Sequence, residues 1–163
     1  MSENESTTED LALRMSRWLP ATPDEAFDAY TDAEKQKTWY SILDEEPGIV
    51  EIDVDLRVGG TQTAVWGPSR DQLFREVQTF VEIDRPHRLV TDSTGSDPSG
   101  VEMTTHIEVT FEPDGDGTLM TVVQSGFPMP EVRDFFTSEV WVGAFLRIEA
   151  FLRTPAARLS SRG

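Results

Sequence analysis

The chain has 163 residues and carries 30 acidic side chains against 14 basic ones, a net charge of −16 with both histidines neutral. That imbalance excludes a protein that works by neutralising nucleic-acid phosphates, and it disfavours an anionic membrane surface. Cysteine is absent, which removes disulfides, thiolate metal sites and cysteine nucleophiles, while 37% hydrophobic content is ordinary for one globular domain.

Residues 1–10 are polar and acidic, the opposite of a signal sequence, and read as a short disordered tail. No apolar run approaches the roughly 18 residues that span a bilayer, so no membrane insertion is expected and the protein reads as cytoplasmic. Residues 11–19 alternate loosely and stop at Pro20, which predicts a first strand. Thr22-Pro23-Asp24-Glu25 then offers a capping box with proline at the first helical position, and Thr31-Asp32-Ala33-Glu34 repeats the pattern. Two abutting short helices are predicted, the second ending near Trp39-Tyr40.

From residue 49 onward the period changes to two. Val50, Ile52, Val54 and Leu56 alternate with Glu51, Asp53 and Asp55, predicting a strand with one wet face, and Arg57-Val58-Gly59-Gly60 turns it into the strand 61–66. A long strand is predicted over 72–84, another over 87–92, and a Ser/Gly/Asp/Pro-rich loop over 93–100. Residues 101–112 alternate most cleanly, with Val101, Met103, Thr105, Ile107, Val109 and Phe111 on one face. A turn at 113–117 leads to the last strand, 118–127. Pro128-Met129-Pro130 halts it before a helix over 131–152, whose Trp141, Phe145, Ile148 and Leu152 form an apolar stripe that faces the sheet, with Glu139 and Glu149 facing water. One domain is read over 11–154, followed by a flexible tail at 155–163.

Strand, two short helices, six strands and a long C-terminal helix is the order of the helix-grip fold. Pro20-Ala21-Thr22-Pro23-Asp24-Glu25-Ala26-Phe27, Ala29-Tyr30-Thr31-Asp32 and Trp39 resemble the opening of START-like (SRPBCC) domains of the heat-shock-protein-90 ATPase-activator-homologue branch. Val58-Gly59-Gly60, the segment 81–90, the run from Gly117 to Phe127 and the Trp141 helix pattern resemble the same branch, so the resemblance covers about 14–152. It implies an α+β fold in which a seven-stranded antiparallel sheet wraps a long C-terminal helix, with two short helices after the first strand and a cavity between sheet and helix. Relatives in the superfamily bind lipids, sterols, hormones or polyketides, and some are cyclases. The eukaryotic co-chaperone carries an additional domain for which this chain has no room, so co-chaperone function does not transfer by resemblance.

The chemistry-bearing residues are few. His87 and His106 sit on separate elements without metal-ligand spacing, so no metal, cofactor or catalytic residue is assigned. Glu45, Glu46, Glu51, Asp53 and Asp55 read as solvated charge, and no nucleophile elbow or phosphate loop is present. Trp39, Trp66, Phe74, Met103, Met120, Val122, Phe136, Trp141 and Phe145 are predicted to line the cavity, with Gln124, in phase with Met120 and Val122, as its polar anchor. The expected partner is a small apolar or amphipathic molecule, and a homodimer or protein partner is left open. The alternatives are a cyclase- or aromatase-like enzyme acting on a polyketide-type substrate, weakened by the lack of an obvious inward His or Tyr, and a protein-interaction module that modulates a chaperone or regulator.

Overall fold

The structure, a computed structural model, describes residues 11–46 and 48–158; the tail predicted at 1–10, and residues 159–163, lie outside the described residues. Strand β1 (Ala12–Leu19) is followed by helices α1 (Pro23–Thr31) and α2 (Ala33–Tyr40). Then come β2 (Ile49–Val54), β3 (Thr61–Gly67), β4 (Phe74–Asp84), β5 (Arg88–Ser96), β6 (Glu102–Asp114) and β7 (Gly117–Ser125). The seven strands form one antiparallel sheet in the order β1-β7-β6-β5-β4-β3-β2, with β1 returning to pair with β7. The chain closes with α3 (Pro130–Phe135), a π-helical turn (Phe136–Val140) and α4 (Trp141–Leu152). This is the predicted helix-grip arrangement.

Local signals explain most boundaries. Thr22 Oγ1 accepts from the Glu25 backbone N–H at 3.2 Å while the Glu25 carboxylate accepts from the Thr22 N–H at 3.0 Å, a complete capping box with Pro23 behind it. The cap of α2 is Asp32 rather than Thr31. Thr31 still belongs to α1 and its hydroxyl donates to the Phe27 carbonyl, so Asp32 is the first extended residue and its carboxylate accepts from the Lys35 N–H. Gly117 opens β7 because the Trp18 indole lies against its Cα, where any side chain would collide.

The helices cover one face of the sheet. Phe27, Phe80, Phe111, Met120, Val122, Phe145, Ile148, Phe151 and Leu152 are fully buried there, and Phe27 meets Phe111 edge-on at 5.7 Å. A register shift between Phe80 and Glu82 lets Phe80 and Ile83 share the covered face and turns Val81 outward.

Several boundaries differ from the sequence reading. Strand β2 ends at Val54, so Leu56 is exposed, and Val101 lies outside β6 and is 66% exposed. The segment 93–96 is strand, not loop, because Thr94 pairs with Thr104 and Ser96 with Glu102 across the β5–β6 ladder. Glu149 does not face open water: it is held by Arg17 at 2.6 Å and Arg153 at 2.7 Å, which ties β1 to α4 and keeps its carboxyl below the usual range. The single helix expected over 131–152 is interrupted by the π turn, in which the Trp141 N–H reaches back five residues to the Phe136 carbonyl. Pro155–Arg158 forms a 3-10 turn with Ala157 buried, where a flexible tail was predicted; the Lys35 ammonium donates to the Ala157 carbonyl and anchors it.

Trp141 is 7% exposed and Phe145 2%. Trp141→Ala is therefore expected to cost about 3–5 kcal/mol in chemical denaturation; a loss below about 1 kcal/mol would show that the stripe carries no packing of consequence.

Candidate functional site

The covered face of the sheet is not uniformly apolar. Register and alternation place Gln62 on β3, Glu76 and Gln78 on β4, Thr91 and Ser93 on β5, Thr105 on β6 and Gln124 on β7 along it. Except for Glu76, each of these is buried. Their hydrogen bonds run between neighbouring strands and up to the helices. Gln62 and Gln36 of α2 exchange a reciprocal pair of amide bonds at 3.0 and 3.1 Å, the Thr91 hydroxyl donates to Gln78 at 2.7 Å, and the Ser93 hydroxyl donates to Glu76 Oε2 at 2.6 Å. Gln124 donates to the Thr105 hydroxyl and accepts from the Trp141 indole N–H, both at 2.8 Å. The result is a polar band crossing the sheet beneath the helices.

Glu76 differs from the rest of the band. It is half-buried, and its surroundings are largely protein. Burial pushes its carboxyl above the ordinary range, against hydrogen bonds from Ser93 and Gln78 that favour the ionised form. Among the described residues no lysine or arginine pairs with it. The phenols of Tyr30 and Tyr40 are raised, chiefly by burial and further by the charge of Glu76, so α1 and α2 each bring a tyrosine to the acid's neighbourhood.

An aromatic run leads from the core to the far edge of the sheet. Trp39, whose indole N–H donates to the Ala29 carbonyl at 2.7 Å, has its ring centroid 4.9 Å from Tyr40. Tyr40 meets Trp66 edge-on at 5.7 Å, and Trp66 stacks on its cross-strand partner Phe74 at 5.8 Å. Tyr40, Trp66 and Phe74, with Ile49 and Val50, line a cleft of about 260 Å³ that also takes in the exposed carboxylates Asp44 and Glu46.

The ten residues predicted for one cavity thus occupy two places. Met120, Val122, Gln124, Trp141 and Phe145 lie packed between β7 and α4, with Phe136 half-buried against Phe127 at 5.2 Å and Met103 half-buried on β6. Trp66 and Phe74 line the cleft at the opposite end, and Trp39 stands between the two. The residues the sequence reading missed are Tyr30, Tyr40, Glu76, Gln78, Ser93 and Gln62. A signal for two of them was present: the alternation that turns Phe74 inward also turns Glu76 and Gln78 inward, two and four residues on. An inward tyrosine, thought lacking, is supplied twice.

His106 stays on the outer face, between Asp92 at 2.8 Å and Glu108 at 3.3 Å. Among the described residues no three His, Asp or Glu side chains are grouped to hold a metal, and no helix is long and apolar enough to cross a membrane.

Comparison with known proteins follows this geometry. The family model described as "Activator of Hsp90 ATPase homolog 1-like protein" matches residues 20–153. A comparison with curated proteins finds no match. Among solved structures, a protein from Rhizobium leguminosarum is similar with a TM-score of 0.72 at 19% identity, over 86% of this chain and 93% of that one. A protein from Mycobacterium smegmatis gives 0.69 at 20% identity over 91% and 94%. DynU16, a protein of the dynemicin biosynthetic locus, gives 0.67 at 18% identity, over 89% of this chain and 48% of that one.

Two outcomes follow from the band. In the folded chain Glu76 keeps its proton to higher pH than in the unfolded chain, so its contribution to stability falls as pH rises out of the carboxylate range. Glu76→Gln is expected to raise the melting temperature at neutral pH, with the gain shrinking below about pH 4, where both states are protonated; a gain independent of pH would assign the effect to packing. Gln124→Leu is expected to destabilise by about 1–3 kcal/mol, because it leaves the Trp141 N–H and the Thr105 hydroxyl without their partner; an amide free of structural duty would make the change nearly neutral.

Proposed function

Because the chain belongs to the Activator of Hsp90 ATPase homolog 1-like family, whose fold accommodates ligands between sheet and helix, we propose that it binds a small apolar or amphipathic molecule on the helix-covered face of the sheet. The observation that supports this most directly is Glu76: a half-buried acid on the covered face of the sheet, hydrogen-bonded to neutral groups, with Tyr30 and Tyr40 close enough to feel its charge. A solid core gains nothing from such a group, whereas an apolar pocket needs a few fixed polar atoms to orient its occupant. In this reading Trp39, Trp66, Phe74, Met103 and Phe136 supply apolar wall. Met120, Val122, Trp141 and Phe145 form the packed end of the site, and Gln124 holds Trp141 in place while bounding the polar band. The setting is the cytoplasm, and no cofactor is invoked.

A second reading is a cyclase-like enzyme, supported by the same acid. A carboxyl that burial pushes above the ordinary range holds its proton to higher pH than a free one and can donate it, and two half-buried phenols stand close enough to feel its charge. The structural likeness to DynU16, from a biosynthetic locus, is in keeping with a polyketide-type substrate. A protein-interaction role is the third reading, distinguished by binding that survives a filled pocket.

Native mass spectrometry of freshly purified protein is expected to show added mass that organic solvent removes, and an apolar fluorescent probe is expected to bind and be displaced by members of a panel of fatty acids, flavonoids and polyketide mimics. Protein that carries no added mass and takes up no probe would end the binding reading and move the interaction reading to first place.

A further inference from the structure

The charge and shape around Glu76 narrow the ligand. Two carboxylates, Asp44 and Glu46, line the cleft beside it, and among the described residues no basic side chain does. Arg147 partly neutralises Asp44 at 3.2 Å, while Glu46 is exposed. The walls include the aromatic side chains of Tyr40, Trp66 and Phe74, a residue type whose ring faces attract cations. Tyr40 belongs to both places: it lines the cleft and it feels the charge of Glu76. Phe74 and Glu76 project from the same face of β4, two residues apart.

Three classes of polar head group can be weighed against this arrangement. An anion meets the charge of Glu76, Asp44 and Glu46, of which Arg147 offsets that of Asp44 in part. A neutral hydroxyl or carbonyl gains one hydrogen bond from or to the carboxyl and nothing from the rings. A protonated amine gains a charge-assisted hydrogen bond to Glu76, relieves the cost of an acid recessed among protein atoms, and is attracted by aromatic faces on its way in. The net charge of −16 also concentrates organic cations near the surface.

We propose that the ligand is an amphipathic amine, its ammonium group received by the Glu76 carboxylate and its apolar body lying along Tyr40, Trp66 and Phe74. This rests on the binding role argued above and adds the chemical class of the occupant. Ser93 is a positioning residue here, since its hydroxyl fixes Glu76 Oε2 at 2.6 Å.

The test uses three molecules of one shape, 4-phenylbutylamine, 4-phenylbutanol and 4-phenylbutyrate, titrated calorimetrically into the full chain and into Glu76→Gln, which keeps the side-chain volume and the hydrogen bond from Ser93. Glu51→Gln, on the outer face of β2, serves as an equal change of surface charge. The expected result is at least tenfold tighter binding of the amine than of the alcohol, weaker binding still of the carboxylate, loss of the amine's advantage in Glu76→Gln, and no such loss in Glu51→Gln. Equal affinity for amine and alcohol in the unaltered chain, or an amine advantage that persists in Glu76→Gln or disappears equally in Glu51→Gln, would overturn the amine proposal while leaving apolar binding intact. Failure of all three compounds together with the apolar probe panel would overturn both.

Discussion

The indole N–H of Trp141, buried beneath α4, must find an acceptor, and the Gln124 carbonyl oxygen is the one it finds at 2.8 Å. That bond fixes the rotation of α4 about its axis. Once the rotation is set, Phe145, Ile148 and Leu152 fall onto the sheet, and Glu149 meets Arg17 on β1. The other half of the Gln124 amide passes the constraint on to Thr105, so the helix is registered against β7 and β6 together. Apolar packing alone would allow the helix to slide or roll by small steps; a directional bond with no substitute nearby does not.

Away from this anchor the structure changes character. On the β7 side the interior is tightly filled, with Met120, Val122 and Ile148 fully buried. Toward β4 and β3 the inward side chains become polar or half-accessible, and the aromatic run Tyr40–Trp66–Phe74 ends in an open cleft. The sheet thus has a sealed end that supplies stability and an open end that bears the acid Glu76. This division explains why Glu76 is tolerated: the cost of a recessed acid falls on the part of the sheet that least depends on dense packing.

The architecture was readable because its signals are local and periodic. The capping box at Thr22, the period-two runs of β2 and β6 and the apolar stripe from Trp141 to Leu152 each report on residues close in sequence. The candidate site was half-readable. Strand phase alone assigns Met120, Val122 and Gln124 to the covered face, and the same rule applied to Phe74 would have reached Glu76. Tyr30 and Tyr40 were out of reach for a different reason. Their helices are short and lie across the sheet at an angle that only packing decides, so sequence spacing names the helices without saying which tyrosine meets which strand. The register shift after Phe80 belongs with them, since nothing in 72–84 breaks the alternation until the ladder with β5 is drawn.

The spacing of Phe136 and Trp141 has a longer reach. They are five residues apart and both turn inward, which an α-helix does not arrange; the π turn does, by holding one residue more than the surrounding turns. Each residue advances a helix by about 100°, so this one extra residue sets the facing of α3 independently of α4. The C-terminal element is therefore two short levers joined at a swivel rather than one rod. Insertions or deletions at the swivel re-aim Phe135 and Phe136 while the seat of Trp141 stays where it is. Lineages descended from such a chain can remodel the α3 end of the helix without renegotiating the bond that seats Trp141.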